Sequence, residues 1–398
     1  MTGAGRAAAV TEEGVARKAP IIDLPVKITL TADGVERYRR AQRPLSRIRM
    51  GDNRLEYGIS LSSFSAEALQ KMINVDYISA VEIARAEFSD KRREVIDLNK
   101  LIVYRILYHA FERESYALLL KSPLITRWNR THPKRLISES TLFDSTLVQA
   151  LLNSCAADLP LVSQDIQSGL LAEIHADADL SAEEKEVMGY LSDRYVVSMR
   201  NVLWCVLARS RGEPGYEQLV SQLVGLLRRY LDKSKIAEYL ALMVTELLTY
   251  VESLRLRETA RRLARGKGAG DVLRDPALRA TVLQHLEQQE DYLHLTYFVG
   301  SRGPSIGTED RLRILVYNRA SEYRRVKTQI ESKALLVGEK SLAEFYKRAP
   351  TEDLDTELGL YYLSFLHTEC ARCQVHLDSR VSEIPQSDLT VINLSLRF

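Results

Sequence analysis

The runs YLHLTYFVG (292–300) and RLRILVYN (311–318) decide the fold class. Both are short, rich in β-branched and aromatic residues, and bounded by turn formers, the pattern of extended chain. Between them SRGPSIGTED (301–310) is rich in Gly and Ser, as a hairpin loop should be. This hairpin is embedded in helical sequence. Upstream, a helix is expected from Lys235 to about Arg265, with Ile236, Leu240, Met243, Val244, Leu247, Leu248, Val251 and Leu254 on one apolar stripe. GKGAG (266–270) breaks it, and ALRATVLQHLEQQ (277–289) is a second helix. Downstream, EYRRVKTQIESKALLV (322–337), SLAEFYKRA (341–349) and LGLYYLSFLHTE (358–369) read as helices. QVHLDSRVSEIPQSDLTVINLSLRF (374–398) reads as two strands joined by a polar turn.

Working back towards the N-terminus, residues 78–231 read as a helical bundle. AVEIARAEF (80–88), VIDLNKLIVYRILYHAFERESYALLL (95–120), STLVQALLNSCA (145–156), EEKEVMGYLSDRYVVSMRNVLWCVLARS (183–210) and YEQLVSQLVGLLRRYL (216–231) place apolar residues three and four apart. Breaks fall at Pro123, His132-Pro133, Pro160 and Gly212-Glu-Pro-Gly215. Residues 21–77 form a small mixed region. Val26, Ile28 and Leu30 alternate as in a half-buried strand, ADG (32–34) is a turn signal, and LEYGISL (55–61) is extended. SFSAEALQKMI (63–73) begins with serines suited to cap a helix. Residues 1–20 read as an Ala-rich tail.

Composition bounds the function. With 398 residues, 45% of them hydrophobic, the chain can bury a sizeable core. Charged residues make up 27% and nearly balance at +2, so no global field points to nucleic acid or an anionic membrane. The basic run Arg37–Arg43 is expected to be a solvated face, and RLRETARRLAR (255–265) a solvated or partner-facing helix; nucleic acid is not an expected partner. No segment reaches the roughly 18 apolar residues of a membrane helix, and the start lacks an apolar signal core, so a cytoplasmic location is expected. Four cysteines give no disulfide framework. Cys370-Ala-Arg-Cys373 is a single CxxC with His367 and His376 nearby, and two thiolates fall short of the four ligands of structural zinc. His109 in an apolar helix reads as a core or boundary residue, and His175 as a surface residue of an acidic loop. No Walker loop, HExxH, dinucleotide fingerprint or Ser-His-Asp order is present.

From 232 to 398 the order of helix, hairpin, helices, a glycine point, helix and hairpin resembles the ATP-binding domain shared by gyrase, chaperone and histidine-kinase ATPases (the GHKL fold). That implies an α+β protein: a mainly helical N-terminal and central region, then a sandwich with helices on one face of a mixed sheet. Three stretches carry the likeness. In LMVTELLTYVES (242–253), Glu246 matches the family's Glu, and Tyr250 stands one turn later, where the family has the Asn that binds magnesium. A neutral phenol is a poor magnesium ligand. In RILVYNRASEY (313–323), Asn318 holds the position of the adenine-reading Asp, and no Gly-x-Gly follows. In DTELGL (355–360), Gly359 alone remains of the glycine-rich phosphate loop, flanked by Asp355 and Glu357, which oppose a polyphosphate. The resemblance thus implies a pseudokinase-like frame without ATP chemistry and with no cofactor. It acts in signalling or assembly on a protein partner, and the helical region offers a route to a homodimer. The alternative is an active ATP-binding protein, with ATP and magnesium, that uses these atypical residues.

Overall fold

The computed structural model describes residues 21–49, 55–138, 145–178, 180–198, 202–264, 270–300, 311–319, 323–334, 354–384 and 389–398. The expected tail (1–20), hairpin loop (301–310) and helix 341–349 lie outside them. Among the described residues the strands are β1 (Ile21–Ile22), β2 (Val26–Leu30), β3 (Ser46–Arg49), β4 (Leu55–Leu61), β5 (Phe64–Ser65), β6 (Ile78–Arg85), β7 (Leu293–Gly300), β8 (Arg311–Arg319), β9 (His376–Ile384) and β10 (Leu389–Arg397). The helices are α1 (Ala32–Arg40), α2 (Ala66–Asn74), α3 (Arg92–Lys121), α4 (Pro123–Thr131), α5 (Ser145–Ser154) and α6 (Leu159–Ala176). They continue with α7 (Ala182–Ser198), α8 (Val202–Arg209), α9 (Tyr216–Leu263), α10 (Pro276–Gln288), α11 (Tyr323–Ala334) and α12 (Leu354–Arg372).

Eight strands form one sheet in the order β3-β4-β2-β6-β7-β8-β10-β9. The first four come from residues before 86 and the last four from residues after 292, and they join where β6 pairs with β7 from Arg85–Leu293 to Ala80–Phe298. The protein is therefore α+β, as expected, but two finer expectations are corrected. Every described pairing is antiparallel, so the sheet is not mixed. The expected borders at 77/78 and 231/232 also do not separate structural units. β2, β3 and β4 of 21–77 belong to the same sheet as the strands of 293–397, β1 and β5 pair separately as a two-stranded sheet, and the 48-residue α9 runs through 231/232.

Two local readings are corrected for physical reasons. AVEIARAEF was expected to be helical, yet its first part is the inner strand β6. Val81 and Ile83 are buried under the helices while Ala80, Glu82 and Ala84 face the other way, and the alanines on that face blur the apolar–polar alternation in the sequence. ADG (32–34) is the first turn of α1, not a free turn. Thr31 caps it by accepting from the Gly34 amide at 3.2 Å, and Thr31 Oγ1 donates to the Asp76 carbonyl at 2.6 Å. A Cβ on Gly34 would meet the Tyr77 carbonyl oxygen at 2.5 Å, so glycine is what seats α1 against the turn before β6.

The prolines fall where helices begin: Pro123 and Pro160 occupy first-turn positions of α4 and α6. One sheet face is closed by the helices. Ile28, Val81, Tyr297, Ile314 and Leu394 lie in register across it, and all are buried. The other face mixes buried Thr29, Ala80, Thr296, Leu315 and Val391 with half-buried or exposed Lys27, Glu82, His294 and Arg313. The core continues from the sheet through α3 into α9, whose residues are buried around most of its circumference.

Candidate functional site

The stretch TELLTYVES lies in the second half of α9, which packs between α3, α12 and α10. Glu246 and Tyr250 stand one helical turn apart, as the spacing requires. The Glu246 carboxylate takes a charge-assisted hydrogen bond from Arg92 at the start of α3 and is mostly buried. Tyr250 is 5% exposed. Gly359 lies within α12 (Leu354–Arg372), which begins four residues before the expected helix 358–369. α12 runs antiparallel to α9, with Phe365 stacked on Tyr239 at 6.1 Å and Arg372 close to Asp232. Asn318 is in β8, where its backbone pairs with Thr390 of β10; its side chain lies outside the description. The structure thus brings Glu246, Tyr250 and Gly359 onto one helix pair and places Asn318 on the sheet.

The strongest electrostatic feature of α9 was not anticipated. Glu252, 2% exposed, accepts from the backbone amides of Phe88 (2.6 Å) and Ser89 (3.1 Å), from Ser89 Oγ (2.6 Å) and from Arg279 Nη2 (2.7 Å). Arg279 also donates to Glu87 from Nε (3.1 Å) and Nη2 (2.7 Å). One turn on, buried Arg255 pairs with Asp291 at 3.0 Å. Four donors on one carboxylate offset its desolvation, and together they tie α9 to the β6–α3 connection and to α10. In sequence Glu252 sits between Val251 and Leu254 of the apolar stripe; a carboxylate on that face was the available signal.

A second feature is a groove of about 550 Å³ on the face of the sheet opposite the helices. Its lining includes Lys27, Glu82, His294, Phe298, Tyr317 and Asp291. His294 Nδ1 is 3.5 Å from Glu82 Oε1, and its ring meets Tyr317 edge-on at 6.5 Å. The bond to His294 holds the Glu82 carboxyl below its ordinary value despite burial, with Lys27 assisting. A lowered carboxyl stabilises the fold above the unfolded value and loses that effect as pH falls through the folded one. Wild type is therefore expected to be more stable than Glu82→Gln at pH 7, and the gap to close below pH of about 4. Urea titrations across that range check this.

Cys370 and Cys373 are buried free thiols, pushed up by burial to about 12 and about 11. Among the described residues no group of three His, Cys, Asp or Glu is placed to hold a metal ion. His109 is half-buried, 3.9 Å from Asp76. His175 lies in the last turn of α6 rather than in a loop, and its carbonyl accepts from Lys185 at 3.1 Å. No described helix is long and apolar enough to cross a membrane.

The sequence profile of a family of unknown function, DUF8084, matches residues 17–398. The chain belongs to DUF8084. An uncharacterized protein of Treponema pallidum (strain Nichols) is 27% identical over 384 residues, 96% of this chain and 99% of that protein. No solved structure matches the chain. The DUF8084 match begins before β1 and ends after β10, so the family unit takes in both halves of the sheet and the helices between them.

Proposed function

We propose that this DUF8084 chain is a non-catalytic regulatory or scaffold protein. It acts through protein–protein contact on a frame like that of the histidine-kinase-like ATPases. The observation that carries the reading is the state of Glu246. Its carboxylate is committed to Arg92, and the position one turn on, where a magnesium ligand belongs, holds a buried tyrosine. A carboxylate engaged by a guanidinium from a neighbouring helix is committed to holding the fold together. Supporting a contact role, Val187 (57% exposed) and Tyr190 (63% exposed) stand on neighbouring turns of α7. An exposed Tyr beside an aliphatic residue suits a partner or a second copy of the chain.

The test is ATP turnover by purified full-length protein. Release of phosphate at the background rate, the same in wild type and Glu246→Ala, is the expected result. Turnover that Glu246→Ala abolishes would overturn the proposal.

A further inference from the structure

The sequence reads Arg37–Arg43 as a solvated basic run, and the fold enlarges it into a composite surface. Tyr57 of β4 is the cross-strand partner of Arg47 in β3, so the two side chains share a face at the edge of the sheet. Arg39 of α1 lies over the Tyr57 ring at 5.0 Å, and Arg43 lies over the Tyr38 ring at 5.8 Å. Arg43, Tyr38, Arg39, Tyr57 and Arg47 therefore follow one another from helix to sheet edge, although up to 19 residues separate them in the chain. Arg37, Arg39, Arg43 and Arg47 are exposed, and among the described residues none has a carboxylate partner. Arg40 alone of this group is paired, with Glu36 at 3.0 Å. Elsewhere the described arginines are commonly neutralised, as Arg85, Arg127, Arg211, Arg228 and Arg279 are.

The surface is rigidly mounted. Gly34 seats α1, and a Cβ on Gly58 would meet the Ile28 carbonyl oxygen at 2.2 Å, so β4 lies hard against β2 at the strand that carries Tyr57. A structural reason exists for charge at a sheet edge, since it discourages pairing between copies. That reason accounts for Arg47 on β3 but not for three unpaired arginines on the neighbouring helix and turn.

We infer that this surface binds single-stranded nucleic acid, independently of the protein-contact role proposed above. The charge is complementary to a phosphate chain, and guanidinium is the group whose geometry matches phosphate best. Tyr57 at the sheet edge, between Arg39 and Arg47, suits base stacking, while Tyr38 packs on the core with its hydroxyl donating to Met72 Sδ at 3.7 Å and supports Arg43. No large exposed aliphatic side chain lies between residues 37 and 47, so the apolar centre expected of a protein interface is missing there.

Fluorescence anisotropy of the full-length protein with a labelled 20-nucleotide single strand tests this. Three phosphate contacts, from Arg39, Arg43 and Arg47, give a log–log salt slope of about −2. Affinity is then expected to fall about 20-fold between 50 and 200 mM salt. The quadruple variant Arg37→Gln/Arg39→Gln/Arg43→Gln/Arg47→Gln is expected to lose at least tenfold in affinity, with the slope reduced towards zero. The variant Arg257→Gln/Arg261→Gln, on the basic end of α9, is expected to bind like wild type. Circular dichroism and the urea midpoint confirm that the variants are folded. Three results would each overturn the assignment: no binding at 50 mM salt, unchanged binding by the quadruple variant, or equal competition by polyglutamate of matched charge. Binding of phosphatidylserine vesicles without binding of the oligonucleotide would reassign the surface to a membrane and overturn it too.

Discussion

Removing residues 21–85 is expected to abolish cooperative folding of the whole chain rather than to release a stable C-terminal domain. The deletion takes out four of the eight strands and exposes β7 as a raw sheet edge. It also removes Ile28, Val81 and Ile83, each fully buried against the helical layer. Burial of one such side chain is worth about 1.5–3 kcal/mol, against a total stability of about 5–15 kcal/mol for a typical domain. Three of them, with the lost ladder and the loss of α2 from α3, are comparable to the whole. The measurement is far-UV circular dichroism of the 86–398 fragment through a urea titration. A broad, non-cooperative change is expected. A sharp transition like that of the full chain would show that the C-terminal part stands alone, and the account of one shared sheet would be wrong.

Glu252→Ala is expected to cost about 3–5 kcal/mol, the range for removing one partner of a buried ionic network. The substitution leaves the buried Phe88 amide, the Ser89 amide and the Ser89 hydroxyl without their acceptor and leaves Arg279 with Glu87 alone. Glu252→Gln keeps the shape and one acceptor oxygen, so its cost should be smaller. Urea midpoints for the two variants give the comparison. A loss under about 1 kcal/mol for Glu252→Ala would place this network among ordinary surface pairs and remove the proposed tie between α9, α10 and the β6–α3 connection.

The elements legible in the sequence were those whose burial is one-sided. β7, β8 and β10 were visible as short β-rich runs between turn formers, α10 from its helical period, and α2 from its serine cap. β6 was not, because alanines on its open face blur the apolar–polar alternation and Ala80-Val81-Glu82-Ile83-Ala84 then imitates a helix turn. The joining of the two halves of the sheet was illegible for a different reason. It depends on which strands meet after about two hundred intervening residues, and no local pattern records that. In the site, the spacing of Glu246 and Tyr250 was enough to place them one turn apart, but not to show that Arg92 engages the carboxylate from 154 positions away. The same holds for Glu252 with Ser89, and for Arg39 over Tyr57. Each of these links is made by tertiary approach between distant segments, and in sequence each residue looks like an ordinary charged or polar position.

The most direct test of the central claim, a frame without nucleotide chemistry, is calorimetric titration of the full-length protein with a non-hydrolysable ATP analogue, with and without magnesium. With Glu246 held by Arg92 and Tyr250 buried, no heat of binding is expected at millimolar analogue under either condition. Micromolar, magnesium-dependent binding that weakens in Glu246→Ala would contradict the claim and restore an active ATP site.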